Sequence, residues 1–274
     1  MIKNRTAMAR KLCEATVRAA EVIMKHYEDA ETIKVMEKGD RSPVTAADQE
    51  AETVILEALH KIAPDIPVVA EEEMAAGRMP TDLGDAFFLV DPLDGTKEFL
   101  KRNGQFTVNI GLIENGVPTM GIVYAPAMKK LYYGVELGEA YAQDLDPKDG
   151  VAGLDKSTPQ PISARVPPAT GMTAVSSGSH KHETVEKYLS QFDIVDHKEM
   201  GSSLKFCLVA TGEADIYPRQ PESSCEWDVA AAHGVLRAAG GGVTQLDGSQ
   251  FEYGHAERKF LNTGFVAHGK RDAS

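Results

Sequence analysis

Two aspartates stand in a short segment whose residue types suit metal and phosphate chemistry. The segment Asp91-Pro92-Leu93-Asp94-Gly95-Thr96 follows the apolar run 87–90 and precedes 97–100, which predicts a strand, a turn and a first helical turn. Carboxylates at such a junction can hold hard cations such as Mg²⁺, which take oxygen ligands. Gly95 allows a ligand to approach the backbone closely, and the helix amides after it would face an anion. By themselves these residues are also typical of a capped turn, so the rest of the chain must decide.

Two further acidic segments are candidates for the same site. Glu71-Glu72-Glu73 follows 66–70, a predicted buried strand, which would place at least Glu71 at the edge of a sheet. An acidic triplet alone is usually a solvated surface. Trp227-Asp228 opens a predicted helix that runs to Gly240-Gly241-Gly242. Taken singly, Asp228 would be a helix cap and Trp227 a core residue.

In this order, these motifs resemble the inositol monophosphatase superfamily of Mg²⁺-dependent, lithium-sensitive phosphatases, and the resemblance covers nearly the whole chain. Within that superfamily the chain is most similar to the 3'(2'),5'-bisphosphate nucleotidases. The segments that carry this second likeness are Asp94-Gly95-Thr96-Lys97-Glu98-Phe99, Gly201 to Ala210 and Ala214-Asp215-Ile216-Tyr217-Pro218-Arg219. Inositol phosphatases share the metal motifs but usually lack the Ser-Ser-Leu-Lys and Tyr-Pro-Arg pairing.

The resemblance implies a metal centre with a general-base pair beside it. Two or three Mg²⁺ ions would be held by Glu71, Asp91, Asp94, Asp228 and the main-chain carbonyl of Leu93, with Glu72 as a further candidate. Because clustered carboxylates repel one another, they need cations, and bound ions would let a protein of net charge −12 accept a doubly anionic phosphate. Thr96 would orient the attacking water and Asp48 would accept the threonine proton. Li⁺ would be an inhibitor.

The substrate contacts implied by the resemblance extend beyond the metal ligands. The phosphate would meet Glu71, Leu93, Asp94, Asp228 and the amides of Gly95 and Thr96. The rest of a nucleotide would contact Ser177, His180, Gly201, Lys205 and Arg219. A loop with Lys38 and Asp40 would help bind the third ion and close the site.

The activity that follows is hydrolysis of the 3'-phosphate of adenosine 3',5'-bisphosphate to AMP and phosphate, with 3'-phosphoadenylyl sulfate as a further substrate. This reaction would serve sulfur assimilation and nucleotide recycling. The alternatives are an inositol monophosphatase, a broad sugar-phosphate phosphatase, and a metal or nucleotide sensor without turnover. Thr96 and Asp48 argue against the sensor, because a binding module needs no pair that activates water.

The elements that would position these residues follow from periodicity. Apolar residues at helical spacing predict an opening helix: Met8, Leu12, Ala15, Ala19 and Ile23. A second helix would start at Asp48 as its N-cap and stop at Pro64, and 38–45 would be a surface loop. The turn Asn115-Gly116 predicts a hairpin, and the apolar segments around it continue as an antiparallel meander through 142.

Beyond 144–168, which is rich in Asp, Pro, Lys and Ser, short apolar segments alternate with helical ones. This pattern predicts a layered α/β (α+β) fold of alternating helices and sheets. The resemblance implies the αβαβα sandwich of a sugar-phosphatase-like fold with two closely packed lobes. Residues 1–150 would carry most metal ligands, and 151–274 the last metal ligand and the nucleotide contacts.

Composition narrows the partners to small molecules. Twenty-nine Lys and Arg against 41 Asp and Glu exclude a basic surface for nucleic-acid polymers. No apolar run approaches the roughly 18 residues of a membrane span, and the first residues lack a secretory signal. Three scattered cysteines fit a reducing cytoplasm. The sequence leaves open a homodimer and a peripheral position at the cytoplasmic face of the inner membrane.

Overall fold

The chain builds one seven-stranded sheet, one five-stranded sheet and a small two-stranded sheet. The computed structural model describes residues 4–29, 36–37, 43–176 and 183–271, with the backbone alone at 36–37 and 43–44. The α-helices are α1 (Arg5–Glu28), α2 (Ala46–Ile62), α3 (Glu71–Ala75), α4 (Thr96–Leu100), α5 (Glu183–Leu189), α6 (Leu204–Ala210) and α7 (Trp227–Ala238). The strands are β1 (Met36–Glu37), β2 (Pro43–Val44), β3 (Val68–Ala70), β4 (Ala86–Asp94), β5 (Thr107–Glu114), β6 (Val117–Ala125), β7 (Lys130–Gly134), β8 (Ala140–Asp144), β9 (Gln160–Pro161), β10 (Met172–Ser176), β11 (Ile194–Glu199), β12 (Ile216–Arg219), β13 (Gly242–Gln245) and β14 (Phe265–His268).

The start of α2 corrects the prediction for Asp48. Thr45 is the N-cap, and its hydroxyl accepts a hydrogen bond from the amide of Ala47. Asp48 stands three residues later, where its Oδ2 accepts from the amide of Thr45 at 2.8 Å. The two residues form a capping box, so Asp48 serves the helix from inside its first turn. Residues 43–44 of the predicted loop 38–45 form a short strand, β2, which pairs with β1.

The seven-stranded sheet has the order β3-β4-β5-β6-β7-β8-β9 and confirms the predicted meander. β3 pairs with β4 in parallel, and every later neighbour is antiparallel. The β5–β6 hairpin turns at Asn115 and Gly116, whose φ angles of 52° and 73° are both positive. An Asn-Gly pair tolerates this conformation, which matches the twist of the flanking strands.

The five-stranded sheet has the order β11-β10-β12-β14-β13. Its first three strands are parallel, and β14 and β13 run antiparallel to their neighbours. Two of its strands, β11 and β13, were not predicted. β11 is the mostly polar sequence Ile194–Glu199 at the sheet edge, and β13 begins inside the triple glycine, so neither has the apolar run that marks a strand.

Helices and sheets alternate in five layers, which confirms the αβαβα sandwich. α1 and α2 cover one face of the seven-stranded sheet, α6 and α7 lie between the two sheets, and α5 covers the outer face of the five-stranded sheet. The lobe division at residue 150 stays a prediction. Within the part of the chain that the structure describes, no helix has both the length and the apolar character needed to cross a bilayer.

A row of glycines lets α7 approach the seven-stranded sheet closely. Gly111, Gly121 and Gly134 are cross-strand neighbours on β5, β6 and β7. A methyl group at Gly111 would lie 2.8 Å from the amide nitrogen of Ala231, and one at Gly134 would lie 2.7 Å from Cβ of Ala238. The helix therefore packs with its backbone against the sheet, and this contact fixes the position of its first turn.

Candidate active site

Three carboxylates from distant parts of the chain converge at one point. Glu71 is the first residue of α3, directly after β3; Asp91 lies within β4; Asp228 is the second residue of α7. One carboxylate oxygen from each lies within 4.8 Å of the others. Three of the four side chains predicted to form a metal cage, those of Glu71, Asp91 and Asp228, therefore meet, although Asp91 and Asp228 are 137 positions apart in the sequence.

The electrostatics of this cluster favour a bound cation. Asp91 is only 1% exposed. Burial raises the pKa of Asp228 well above its usual range, and the nearby charges of Asp94 and Glu71 raise it further. Carboxylate oxygens that lie this close together repel one another when ionised, and such a cluster suits a hard divalent ion such as Mg²⁺.

A bulge in β4 brings Asp94 to the same side as Asp91. Residues three apart in a regular strand point to opposite faces. Here Asp91 pairs with Asn109 and Asp94 with Thr107, so β4 has one residue more than β5 over this stretch. The amide of Leu93 donates to Oδ1 of Asp91 at 3.0 Å, which stabilises the bulge.

Asp94 is held from the second half of the chain. Its Oδ2 accepts hydrogen bonds from the amide of Ser203 at 2.6 Å and from the Ser203 hydroxyl at 2.8 Å. That hydroxyl also lies 2.8 Å from the main-chain oxygen of Asp228 and accepts from Nδ2 of Asn109 at 2.9 Å. Ser203 therefore links two of the predicted metal ligands and fixes one oxygen of Asp94.

The predicted pair of Thr96 and Asp48 is within hydrogen-bonding distance. Oγ1 of Thr96 lies 3.3 Å from Oδ1 of Asp48 and 3.4 Å from the carbonyl oxygen of Leu93. The other carboxylate oxygen, Oδ2, accepts from the amide and the hydroxyl of Thr45. Because the capping box fixes Oδ2, Oδ1 is held towards Thr96. Asp48 is buried, with only 2% of its surface exposed to solvent.

A cleft of about 800 Å³ lies beside the cluster. The predicted site residues that line it are Asp94, Gly95, Gly201, Lys205, Arg219 and Asp228. Lys205 is 7% exposed, and burial lowers its pKa to about 8 although Asp94 acts in the opposite direction. Lys205 therefore remains mostly protonated at neutral pH. Nη2 of Arg219 donates to the carbonyl of Ser223 at 2.8 Å.

Gly95 and Gly201 let two loops approach each other at this cleft. Gly95 has a left-handed φ of 92°. A methyl group at Gly201 would lie 2.9 Å from the carbonyl oxygen of Gln105. The amide of Gly201 donates to Oε1 of Gln105 at 2.8 Å, so this amide is already used within the protein.

One predicted residue, Glu72, is not part of the carboxylate cluster, and four others are not described by the structure. Glu72 is not among the three carboxylates of the cluster. Its amide donates to Oε2 of Glu52 at 2.8 Å. Lys38, Asp40, Ser177 and His180 lie outside the described residues.

Two polar residues of the site, Asn109 and Glu52, were not predicted, and Ser203 was predicted only as part of the nucleotide-contact segment 201–205. Ser203 is part of the Ser-Ser-Leu-Lys segment, but its contact with Asp94 depends on the tertiary fold. Glu52 is buried, and burial raises its pKa to about 7. Its one signal in the sequence is the four-residue spacing from Asp48, which puts both acids on one face of α2.

Comparison with known proteins agrees with this geometry. The model of the inositol monophosphatase family matches residues 4–273. The 3'(2'),5'-bisphosphate nucleotidase CysQ of Salmonella typhimurium is 42% identical over 94% of this chain and 98% of its own. An inositol-1-monophosphatase of Mesorhizobium japonicum is 30% identical over 90% of this chain and 88% of its own. The crystal structure of CysQ from Bacteroides thetaiotaomicron, at 36% identity, covers 96% of this chain and 97% of its own with a TM-score of 0.75. The chain belongs to the inositol monophosphatase family.

Proposed function

We propose that this protein is a 3'(2'),5'-bisphosphate nucleotidase that hydrolyses adenosine 3',5'-bisphosphate to AMP and phosphate. The observation that carries the proposal is that one cleft is lined both by predicted metal ligands, Asp94 and Asp228, and by two basic side chains, Lys205 and Arg219. A substrate with one phosphate needs only the acidic side chains and their cations. A second phosphate accounts for a buried lysine and an arginine in the same cleft. The likeness to CysQ supports the same substrate class.

The proposed cofactor is Mg²⁺, as two or three ions. Glu71, Asp91 and Asp228, with Asp94 and the carbonyl of Leu93, would hold them. Their clustered, mutually repelling oxygens fit such ions. Bound Mg²⁺ supplies charge neutralisation for the phosphate and a lowered pKa for water.

The protein's own groups would orient the water and move its proton. Thr96 donates its hydroxyl hydrogen to Oδ1 of Asp48, and its oxygen can then accept a proton from the attacking water. As the water attacks phosphorus, its proton passes to Thr96 and the threonine proton passes to Asp48. The amides of Gly95 and Thr96 would bind the phosphate being removed, and Lys205 and Arg219 the one retained.

The proposal extends to residues and properties beyond the described site. Ser177 and His180 would contact the nucleotide, and Lys38 and Asp40 would act with the third ion. The further substrate would be 3'-phosphoadenylyl sulfate, and the proposed location is the cytoplasm.

The decisive test is phosphate release from a panel of adenosine 3',5'-bisphosphate, 3'-AMP, 5'-AMP, 3'-phosphoadenylyl sulfate and inositol 1-phosphate with Mg²⁺. We expect kcat/KM for the bisphosphate to exceed that for inositol 1-phosphate by at least about 100-fold, because buried polar groups left unpaired penalise the wrong substrate. Equal or faster turnover of inositol 1-phosphate would overturn the proposal. Absence of turnover for every member would favour a sensor.

A variant separates the two phosphates. Lys205→Met keeps the length of the side chain and removes its charge. KM for the bisphosphate should rise more than KM for 3'-AMP, which lacks the 5'-phosphate. Lys61→Met, at an exposed lysine of α2, is the matched control and should change neither value. Equal effects on both substrates would exclude Lys205 as a contact of the second phosphate.

A further inference from the structure

Helix α3, which begins with Glu71, has no side-chain cap of its own. The residue before it is Ala70, which has the extended backbone of an N-cap residue (φ −123°, ψ 147°) but no side-chain acceptor. The first amides of a helix lack carbonyl partners within the helix, so they need acceptors from elsewhere.

Glu52, on the neighbouring α2, supplies both acceptors. Its Oε2 accepts from the amide of Glu72 at 2.8 Å, and its Oε1 accepts from the amide of Glu73 at 2.9 Å. The side chain is 3% exposed, so water hardly competes for these hydrogen bonds. Bonds from an amide to a carboxylate are charge-assisted and stronger than those between neutral groups.

The same face of α2 reaches the other side of the site. Asp48 lies one helical turn before Glu52 and contacts Thr96. α2 is itself fixed by Ala51, Ile55 and Leu59, all of them in the core beneath the seven-stranded sheet. The anchored helix α2 therefore contributes to both sides of the site. Its Asp48 contacts Thr96, and its Glu52 holds the backbone that follows Glu71.

Stability alone gives a poor account of this arrangement. A serine at position 70 would cap α3 without burying a carboxylate. Glu52 is buried beside Glu72 and Glu73, where desolvation and like charges both disfavour its ionised form. The two hydrogen bonds hold the first two peptides after Glu71, 71–72 and 72–73, and so the direction of the Glu71 side chain.

We propose that Glu52 is a positioning residue: by capping α3 from α2, it aims the carboxylate of Glu71 at Asp91 and Asp228 and so sets the affinity for the divalent ion. The inference rests on the metal-dependent function proposed above. It assigns to Glu52 no contact with ion or substrate.

The test is a calorimetric titration of the substrate-free protein with Mn²⁺ as the probe. Glu52→Gln keeps the volume and one acceptor oxygen, and we expect it to lower the Mn²⁺ affinity by about 10- to 100-fold, the usual effect of losing a partner of a metal ligand. Glu57→Gln, at an exposed glutamate of the same helix, is the matched control and should bind as the wild type does. Wild-type affinity in Glu52→Gln overturns the inference.

A rescue variant distinguishes positioning from general stability. Ala70→Ser supplies α3 with a local cap, so adding it to Glu52→Gln should restore most of the Mn²⁺ affinity. Recovery of the melting temperature without recovery of affinity would contradict the inference. If Glu52→Gln does not fold, Glu52→Asp takes its place, because it keeps the charge and shortens the side chain. Wild-type Mn²⁺ affinity in Glu52→Asp would also overturn the inference.

The titration also separates this inference from the proposed function. Wild-type protein that binds no Mn²⁺ would overturn both. Wild-type binding together with an unchanged Glu52→Gln isotherm overturns the role of Glu52 alone.

Discussion

The hydroxyl of Thr96 does not ionise near neutral pH by itself, so its environment determines what it can do. A threonine oxygen is a weak base unless its own proton can move to a better acceptor. Asp48 provides that acceptor at 3.3 Å, with its second oxygen held by Thr45. The capping box that starts α2 therefore also orients the proposed base.

Removal of the hydroxyl should affect turnover more than metal binding. Thr96→Ala is expected to lower kcat by about 10²- to 10⁴-fold, the usual contribution of a positioned acid–base group. The affinity for Mg²⁺, measured by calorimetry, should stay close to that of the wild type. Thr96→Ser retains the hydroxyl and should recover most of kcat. Equal losses of kcat and affinity would mean that Thr96 only shapes the turn.

Loss of one charge at Asp94 should abolish turnover and leave the fold intact. Asp94→Asn removes a predicted metal ligand but creates no cavity, since the side chains have nearly the same volume. In EDTA its melting temperature should not fall, because the substitution relieves repulsion with Asp228. Calorimetric melting and phosphate release measure the two effects, with the exposed Asp65→Asn as control. Wild-type activity in Asp94→Asn with Mg²⁺ would contradict the site.

At the residue scale, sequence patterns find side chains that act at the ends of elements and miss those that act across the fold. Asp91, Asp94 and Asp228 stand at predicted junctions, which made them candidates. The hydrogen bonds of Ser203 with Asp94 and of Glu52 with Glu72 join residues that are 109 and 20 positions apart in the sequence, so only the folded structure shows them.

At the scale of elements, the packing of α7 on the seven-stranded sheet determines where Asp228 lies. Its backbone rests on Gly111, Gly121 and Gly134, and its first turn carries Asp228. No flexible side chain lies between helix and sheet at these positions, so a change there must move the helix.

Enlargement of the central glycine should therefore weaken both stability and metal binding. In Gly121→Ala the added methyl group would overlap the carbonyl oxygen of Ala231, so α7 must shift. We expect a loss of about 1–3 kcal/mol of unfolding free energy, as for other overpacked cores, measured by urea denaturation. Gly242→Ala, where the nearest neighbour is the His268 ring at 3.2 Å, is the milder control. An unchanged Mg²⁺ affinity in Gly121→Ala would show that Asp228 is positioned independently of this contact.

The elements themselves divide into those with a local signal and those without one. The amphipathic pattern of α1 and the Asn-Gly turn of the β5–β6 hairpin need no tertiary information, and both are present. β11 is an edge strand with no buried residue, so its sequence lacks the apolar residues by which a buried strand is recognised. β13 forms because β14 offers a partner, not because Gly242–Gln245 favours a strand.

At the scale of the whole molecule, a buried histidine links stability to pH. His233 on α7 is 5% exposed, and its Nδ1 hydrogen-bonds with the hydroxyl of Tyr253 at 2.9 Å. Burial lowers its pKa from 6.5 to about 3, and the charges of Arg237 and His268 act in the same direction. Between these values the unfolded chain binds a proton that the folded chain does not, so the folded state loses stability as pH falls below 6.5.

This histidine should account for about 2 kcal/mol of the stability lost between pH 7 and pH 5. His233→Gln removes the titrating group and keeps a polar partner for Tyr253. Urea denaturation of both proteins in EDTA at the two pH values should show a smaller pH effect in the variant. If the free energy of unfolding falls by the same amount between pH 7 and pH 5 in both proteins, His233 titrates normally in the native state.

The convergence of Glu71, Asp91 and Asp228 within 4.8 Å also bears on how the polypeptide acquires its native state. In the denatured ensemble these acids are far apart and offer no common binding site, so the proposed cation would be a ligand of the native state alone. By mass action, the free energy of unfolding would then depend on the ion concentration, and free ion at 100 times Kd would raise it by about 2.7 kcal/mol. Magnesium in the surrounding medium would thus stabilise the fold as well as support turnover, and chelation would shift the denaturation midpoint downward even where no nucleotide is present.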